Sequence, residues 1–319
     1  MTEFELITHY FNQRFPQRTE VILGIGDDAA LCTIPNGMQL AVTIDTLVEG
    51  VHFPHTTTAE NIGYKALAVN LSDLAAMGAK PAWMTLALTC PQADEQWFTE
   101  FSHGLLSLAE LYQVSLIGGD TTSGPLTITI QIAGYVPPQQ ALQRRGAQPG
   151  DGIYVTGTVG DAGLGLAAVQ QRLHLPIAAK QYVESRLHRP TPRVTEGQAL
   201  RGIASSAIDI SDGLAADLEH ILTASGVGAT INLDKLPLSK VLRQHLTMEE
   251  AWQLAMTAGD DYELCFTVPP QQERQLVATM PKDIYTRIGT IESTLGLRCY
   301  TAAGHLVELV KTGYEHFRS

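Results

Sequence analysis

Along this chain the apolar residues change period repeatedly, and each change marks the edge of an element. MTEFELITHYFNQRF is amphipathic and predicts an N-terminal helix. The apolar runs AALCTI and GMQLAVTID predict two strands that partner one another. From about Asn61 to Met77 runs a helical stretch, with a threonine cluster before it and Gly78 and Pro81 after it, and in its part ALAVNLSDLAAMGA apolar residues occupy nearly every position. That pattern predicts a helix buried all round. DEQWFTEFSHGLLSLAELY predicts a second helix, VSLIGGD a buried strand and TITIQIAGYV an alternating strand.

The polar, proline- and glycine-bearing segment PPQQALQRRGAQPGDG, residues 137–152, reads as a linker. Beyond it IYVTG, SAIDIS, YELCFTV, IYTRIGTI and LRCYT predict strands, and GDAGLGLAAVQQRL, DGLAADLEHILTASG and QQERQLVATM predict helices. The expectation is mixed α/β architecture: an N-terminal α/β domain over 1–137, a linker over 138–152 and a C-terminal α/β domain over 153–319.

Composition narrows the function. The 319 residues are 45% hydrophobic and 17% charged with a formal net charge of -12, which suits a globular chain and argues against nucleic-acid or anionic-membrane partners. An anionic substrate would then need cations as intermediaries. The N-terminus lacks a signal-peptide pattern, no run approaches a membrane span, and the four cysteines are scattered, so the expected setting is cytoplasmic.

Carboxylates carry the chemistry. GIGDDAA sets Asp27 and Asp28 side by side; such a pair is either a solvated turn or one edge of a cation site. Asp45 and Asp120 close the runs LAVTID and SLIGGD, Asp209 and Asp212 flank the end of AIDISDG, and Asp260 and Asp261 precede a strand. Any one of these alone reads as a turn or cap residue. Asp73 is different, because it stands inside the apolar helix and must be paired, hydrogen-bonded or metal-bound there; Lys65 or an arginine elsewhere is the competing partner. Oxygen-only donors select magnesium-like cations, and the histidines show no ligand spacing. The chain has neither GxxxxGK[ST] nor GxGxxG; TGTVGDAGLGLA offers a glycine-rich turn into a helix as a phosphate cradle, with Arg144 and Arg145 just before it.

GIGDDAA, TIDTLVEGVHF, YKALAVNLSDLAAMGA, LIGGDTT, YVTGTVGDAGLGL, AIDISDGL and GDDYEL, in this order and with GYEHF at 313–317, resemble the thiamine-monophosphate kinase family. That family belongs to the ATP-binding superfamily of aminoimidazole ribonucleotide synthetase. The resemblance implies two α/β domains of the aminoimidazole ribonucleotide synthetase-like fold, with N-terminal sheets forming a β-barrel across a homodimer. It implies transfer of the γ-phosphoryl group of ATP to thiamine phosphate with several Mg²⁺ ions. By the same resemblance the metal ligands correspond to Asp28, Thr43, Ile44, Asp45, Asp73, Asp120, Asp209 and Asp212. ATP contacts correspond to Gly119, Asp120, Arg144 and Ser211, and substrate contacts to His52, Asp260 and Tyr314. No general base is expected.

Two positions depart from the family pattern. Ile44 stands where threonine is usual, so only its carbonyl can ligate, and Asp260 stands where glutamate is usual. The rival readings are a cyclising synthetase, a selenophosphate synthetase or an ATP-dependent hydrogenase-maturation dehydratase of the same superfamily, and a non-catalytic cation- or nucleotide-binding protein. The first Cys is Cys32, inside an apolar run, and the chain ends HFRS, which disfavours the rivals that need an N-terminal reactive Cys or a cysteine tail.

Overall fold

The computed structural model describes residues 3–12 and 14–309. The chain divides into two units, residues 1–74 with 79–139 and residues 75–78 with 140–319.

The first unit opens with α1 (Glu3–Leu6), which widens into a π-type turn over Ile7–Phe11 and buries Tyr10 and Phe11. Next come β1 (Val21–Leu23), β2 (Leu31–Cys32), β3 (Gln39–Val48), α2 (Ala59–Ala76), β4 (Lys80–Cys90), α3 (Glu95–Tyr112), β5 (Ser115–Ser123) and β6 (Thr127–Val136). β2 pairs with β1, so AALCTI and LAVTID are not partners as their adjacency suggested; β3 pairs antiparallel with β6 instead. The four-stranded order is β3-β6-β4-β5, with β4 and β5 parallel. This sheet does not close on itself: β3 and β5 are its two edges.

β4 follows α2 so closely that its helix-stop residues conceal it. Pro81 sits where the β4–β6 register slips, which is where a strand tolerates the missing N–H. Alternation in β6 behaves as its sequence predicts: Ile128, Ile130 and Ile132 are buried while Thr129 and Gln131 are more open. Leu74 of α2 lies over Gly134, so these even-numbered residues face α2. In register with them, Thr43, Asp45 and Leu47 of β3 face α2 too, while Leu40, Val42 and Ile44 face away and are exposed.

α2 is buried along most of its length, as its apolar run demands, and α3 lays Phe98, Phe101, Leu105 and Leu108 inward. Asp94 caps α3 by accepting the Trp97 N–H at 2.9 Å. The two helices meet backbone to backbone: a Cβ on Gly63 would collide with the Phe101 carbonyl, and one on Gly104 with the Glu60 carbonyl.

The second unit contains β7 (Gly152–Thr156), α4 (Asp161–Val169), α5 (Ile177–His188), α6 (Val194–Ala199), β8 (Ser206–Asp209), α7 (Leu214–Ser225), β9 (Gly228–Asn232), α8 (Lys240–His245), α9 (Met248–Thr257), β10 (Leu264–Val268), α10 (Glu273–Thr279), β11 (Tyr285–Glu292), β12 (Gly296–Tyr300) and β13 (Leu306–Val307). The sheet order is β13-β12-β9-β11-β7-β10-β8, antiparallel at every pair except β12–β9. The core gathers Ile153, Val155, Ile208, Leu218, Ile231 and Cys265 from sheet and helices. All four cysteines are free; Cys90, Cys265 and Cys299 are buried and Cys32 is half-buried. Among the described residues no helix is long and apolar enough to cross a membrane.

The α2–α3 contact has no room for a methyl group. Gly104→Ala is expected to lower folding stability by about 2 kcal/mol, read as a shifted urea midpoint with an unchanged m-value.

Candidate active site

In the first unit the predicted oxygen donors fall into two groups. Thr43 and Asp45 share the α2-facing side of β3, and the Thr43 hydroxyl donates to Asp73 Oδ2 in a short hydrogen bond. Asp73 is therefore half-buried and held, rather than a stray charge in an apolar helix. Lys65, its expected competitor, is 2% exposed and donates to the His52 carbonyl at 3.4 Å. Ile44 points its side chain away, 61% exposed, so only its backbone is available to the Thr43 side. Asp45 and Asp120 are not strand-end residues as the runs suggested: β3 continues to Val48 and β5 to Ser123.

The second group lines a cavity of 710 Å³ whose wall includes Gly24 to Ala30, Thr85, Leu86 and Leu116 to Thr121. Asp28 and Asp120 both face this space. Asp27 Oδ1 accepts the Asp28 N–H at 2.8 Å, so Asp27 shapes the turn and Asp28 is left exposed. Gly119 has φ +155, and a Cβ there would collide with the Leu86 carbonyl across the β4–β5 pair. Because β3 and β5 are opposite edges, Asp45 and Asp120 stand about three strand spacings apart, ~14 Å. Among the described residues no three His, Cys, Asp or Glu side chains come together as a ready metal cage.

His52 accepts the Val48 N–H on Nδ1 at 2.9 Å. In the neutral ring the proton then resides on Nε2, a donor suited to an anion.

In the second unit β10 runs antiparallel beside β8, with Leu264 opposite Asp209. This pairing brings AIDISDG and GDDYEL together although they are distant in sequence. Asp260 N–H donates to the Ser211 carbonyl at 2.9 Å, Tyr262 N–H to Ile210 at 2.8 Å, and Ile210 N–H to Glu263 at 2.8 Å. Asp209, Ser211, Asp212 and Asp260 thus share one end of the β8–β10 ladder. Asp217 accepts the Asp212 and Gly213 N–H groups at 3.1 Å, fixing the turn into α7. Asp260 and Tyr262 have φ +70 and +50. Left-handed backbone in residues other than glycine costs about 1 kcal/mol or more each.

The glycine-rich turn is occupied by protein. The Gly160 and Ala162 N–H groups at the start of α4 donate to Asp261 at 2.6 and 3.3 Å, so the expected phosphate cradle there is filled by a carboxylate. Arg144 and Arg145 are exposed, and Arg145 Nε donates to Gln143 at 2.7 Å. Tyr314 and the GYEHF stretch lie outside the described residues.

Residues 26–136 match the AIR synthase related protein N-terminal domain, and residues 148–300 match its C-terminal domain. Thiamine-monophosphate kinase of Escherichia coli K12 is 50% identical over 318 residues, 99% of this chain and 98% of its own length. The Bacillus subtilis thiamine-monophosphate kinase is 37% identical over 330 residues, 100% of both chains. The chain belongs to the thiamine-monophosphate kinase family of AIR synthase related proteins.

Solved structures agree. The thiamine-monophosphate kinase of Stenotrophomonas maltophilia K279a superposes with TM-score 0.84 at 48% identity, covering 89% of this chain and 92% of that one. AaThiL complexed with AMPPCP and TMP gives 0.79 at 30% identity, covering 89% of each. Escherichia coli HypE, a hydrogenase maturation protein, gives 0.78 at 19% identity over 97% of this chain and 98% of its own, a likeness of fold alone.

Around the family motifs lies a buried network that reading the sequence missed. Glu263, fully buried, accepts from Thr156 Oγ1 at 2.7 Å, Arg186 Nη2 at 2.8 Å, and Arg193 Nε and Nη2 at 2.5 and 2.7 Å. Asp161, also buried, accepts from Thr158, Tyr182 and Ser239. The signal was present: a charge set against the apolar run LCFTV is the same anomaly that singled out Asp73.

Burial pushes the Asp261 carboxyl up to about 8, against the opposing pull of its Gly160 and Ala162 N–H bonds and of Arg186. Burial likewise pushes Asp217 up to about 7. Both lie above the unfolded carboxyl value of 3.8, so the folded state retains protons that the unfolded state releases. Their contribution to stability is complete below that value and is lost as pH rises through 7 to 8. Chelator-treated protein is expected to have a lower urea midpoint at pH 9 than at pH 6, and Asp261→Asn to flatten that fall.

Proposed function

We propose that this protein phosphorylates thiamine phosphate to thiamine diphosphate at the expense of ATP. The observation that carries the reading is its near-full-length identity of 50% to thiamine-monophosphate kinases. The AMPPCP and TMP bound by AaThiL are an ATP-like nucleotide and the matching acceptor.

The acceptor activates itself. A phosphate monoester has a second pKa of about 6 and is largely ionised at neutral pH, so no general base is required. What remains is in-line positioning and neutralisation of charge. The donor set fits magnesium, since hydroxyl and carboxylate oxygens are grouped at Thr43 with Asp73, at Asp28 with Asp120 and at Asp209 with Asp212, and no soft ligand stands among them. The residues that would hold magnesium are Asp28, Thr43, the Ile44 carbonyl, Asp45, Asp73, Asp120, Asp209 and Asp212, and the separation of β3 from β5 favours several ions over one. Bound magnesium would offset negative charge on the transferring and acceptor phosphates.

The chain's own groups orient the two substrates. Gly119 lets the β5 backbone pass close to β4 on the wall of the 710 Å³ cavity, leaving room there for nucleotide phosphates beside Asp120. Ser211 and Arg144 complete the nucleotide contacts. His52 donates from Nε2 to the acceptor phosphate and Asp260 accepts from the aminopyrimidine; the thiazolium contact expected of Tyr314 falls outside the described residues.

The exposed stripe Leu40, Val42 and Ile44 on edge strand β3 supports assembly as a homodimer, in which two N-terminal sheets complete a barrel. Val42→Lys is expected to give a monomer by light scattering at concentrations where the unaltered protein is dimeric.

Phosphorus NMR of the protein with ATP, Mg²⁺ and thiamine phosphate tests the reaction. The expected result is metal-dependent growth of thiamine diphosphate matched by ADP; ADP with free phosphate and no diphosphate product would overturn it. Asp73→Asn is expected to lower kcat by roughly 100-fold while the protein remains folded.

A further inference from the structure

We propose that Asp261 and Glu263 are positioning residues: their buried carboxyl groups clamp the GDDYEL loop so that Asp260, between them and Ser211, is held in place for the acceptor. The inference rests on the kinase reading, in which Asp260 touches the acceptor.

The loop alternates anchored and strained residues. Asp260 and Tyr262 take the left-handed backbone at φ +70 and +50, which Asp tolerates and a bulky aromatic resists. Asp261 and Glu263, the residues that follow each of them, are 1% and 0% exposed. Asp261 is tied to the β7–α4 turn through the Gly160 and Ala162 N–H groups. Glu263 is tied to β7 through Thr156, to α5 through Arg186 and to the start of α6 through Arg193. The Asp260 and Tyr262 amides are stitched to Ser211 and Ile210 of the β8 end.

Four elements therefore converge on two side chains, and the residue left half-exposed beside them is Asp260. A core that needed only stability would do as well with apolar residues of similar volume, because buried ion pairs gain little over them. Charges and hydrogen bonds instead impose one register. That register sets the left-handed turn at Asp260, whose shorter side chain stands where a glutamate would reach further, so its backbone position matters more.

Steady-state kinetics of Asp261→Asn, Glu263→Gln and Asp260→Ala, singly and in combination, separate positioning from packing. Glu263→Gln and Asp261→Asn are expected to raise KM for thiamine phosphate by about 10-fold or more, with KM for ATP within about twofold. In the Asp260→Ala background they are expected to add little, since they act through Asp260. Hydrogen exchange at the Asp260 and Tyr262 amides should accelerate in both variants. Thr156→Val, which keeps both arginine pairs, should move KM the same way by a smaller factor and serves if Glu263→Gln does not fold.

Unchanged KM for thiamine phosphate in the folded variants, effects that add fully to Asp260→Ala, or unchanged amide exchange would each overturn the inference while leaving the kinase reading intact. An unaltered protein that forms no thiamine diphosphate would overturn the kinase reading itself, and the acceptor role of the loop with it.

Discussion

One carboxylate, Glu263, is shared by two arginines in the interior of the second unit, and much of that unit is arranged around it. Arg186 comes from α5 and Arg193 from the start of α6, while Thr156 at the end of β7 fills the remaining approach. Desolvating a carboxylate and two guanidinium groups is costly, and attraction offsets it only when each charge has its partner. Removing Glu263 would take from Arg186 and Arg193 the buried carboxylate they share, and breaking a buried pair typically costs about 3 to 5 kcal/mol. Gly157 reflects the same crowding, since a Cβ there would collide with the Glu263 carboxylate. The helices are thereby tied to the sheet at the strand end that also carries Asp209 and Asp260.

In the first unit the governing constraint is close backbone approach. Gly63 and Gly104 let α2 and α3 touch, and on another side of α2 Asp73 meets Thr43 of β3. Gly119 does the corresponding job between β4 and β5. Thr43 and Asp45 occupy the α2-facing positions of β3, opposite Ile132 and Ile130, that alternation would otherwise give to apolar side chains.

The distribution of charge follows from the chemistry. A chain of net charge -12 that handles two phosphorylated substrates cannot attract them by its own field. Its acidic residues instead serve two separate ends. Asp28, Asp45, Asp73, Asp120 and Asp212 are half-buried or exposed and Asp209 is buried, and these are the residues proposed above to hold cations. Asp161, Asp217, Asp261 and Glu263 are buried and satisfied by backbone amides, hydroxyls and arginines, which makes them parts of the frame.

The sequence by itself determined the helix α3, the alternation of β6 and the anomaly of Asp73, because each is written in neighbouring residues and their period. Only the tertiary structure decided that β2 turns back to β1, that a strand follows Pro81 at once, that Asp45 and Asp120 lie within strands on opposite edges, and that Asp261 fills the helix start offered by the glycine-rich turn. The arginine partners of Glu263 stand 70 and 77 residues away along the chain, and Thr156 107. Local periodicity reports which face of an element is buried; which distant element covers it depends on pairing across the sheet, and that information is held by the fold as a whole.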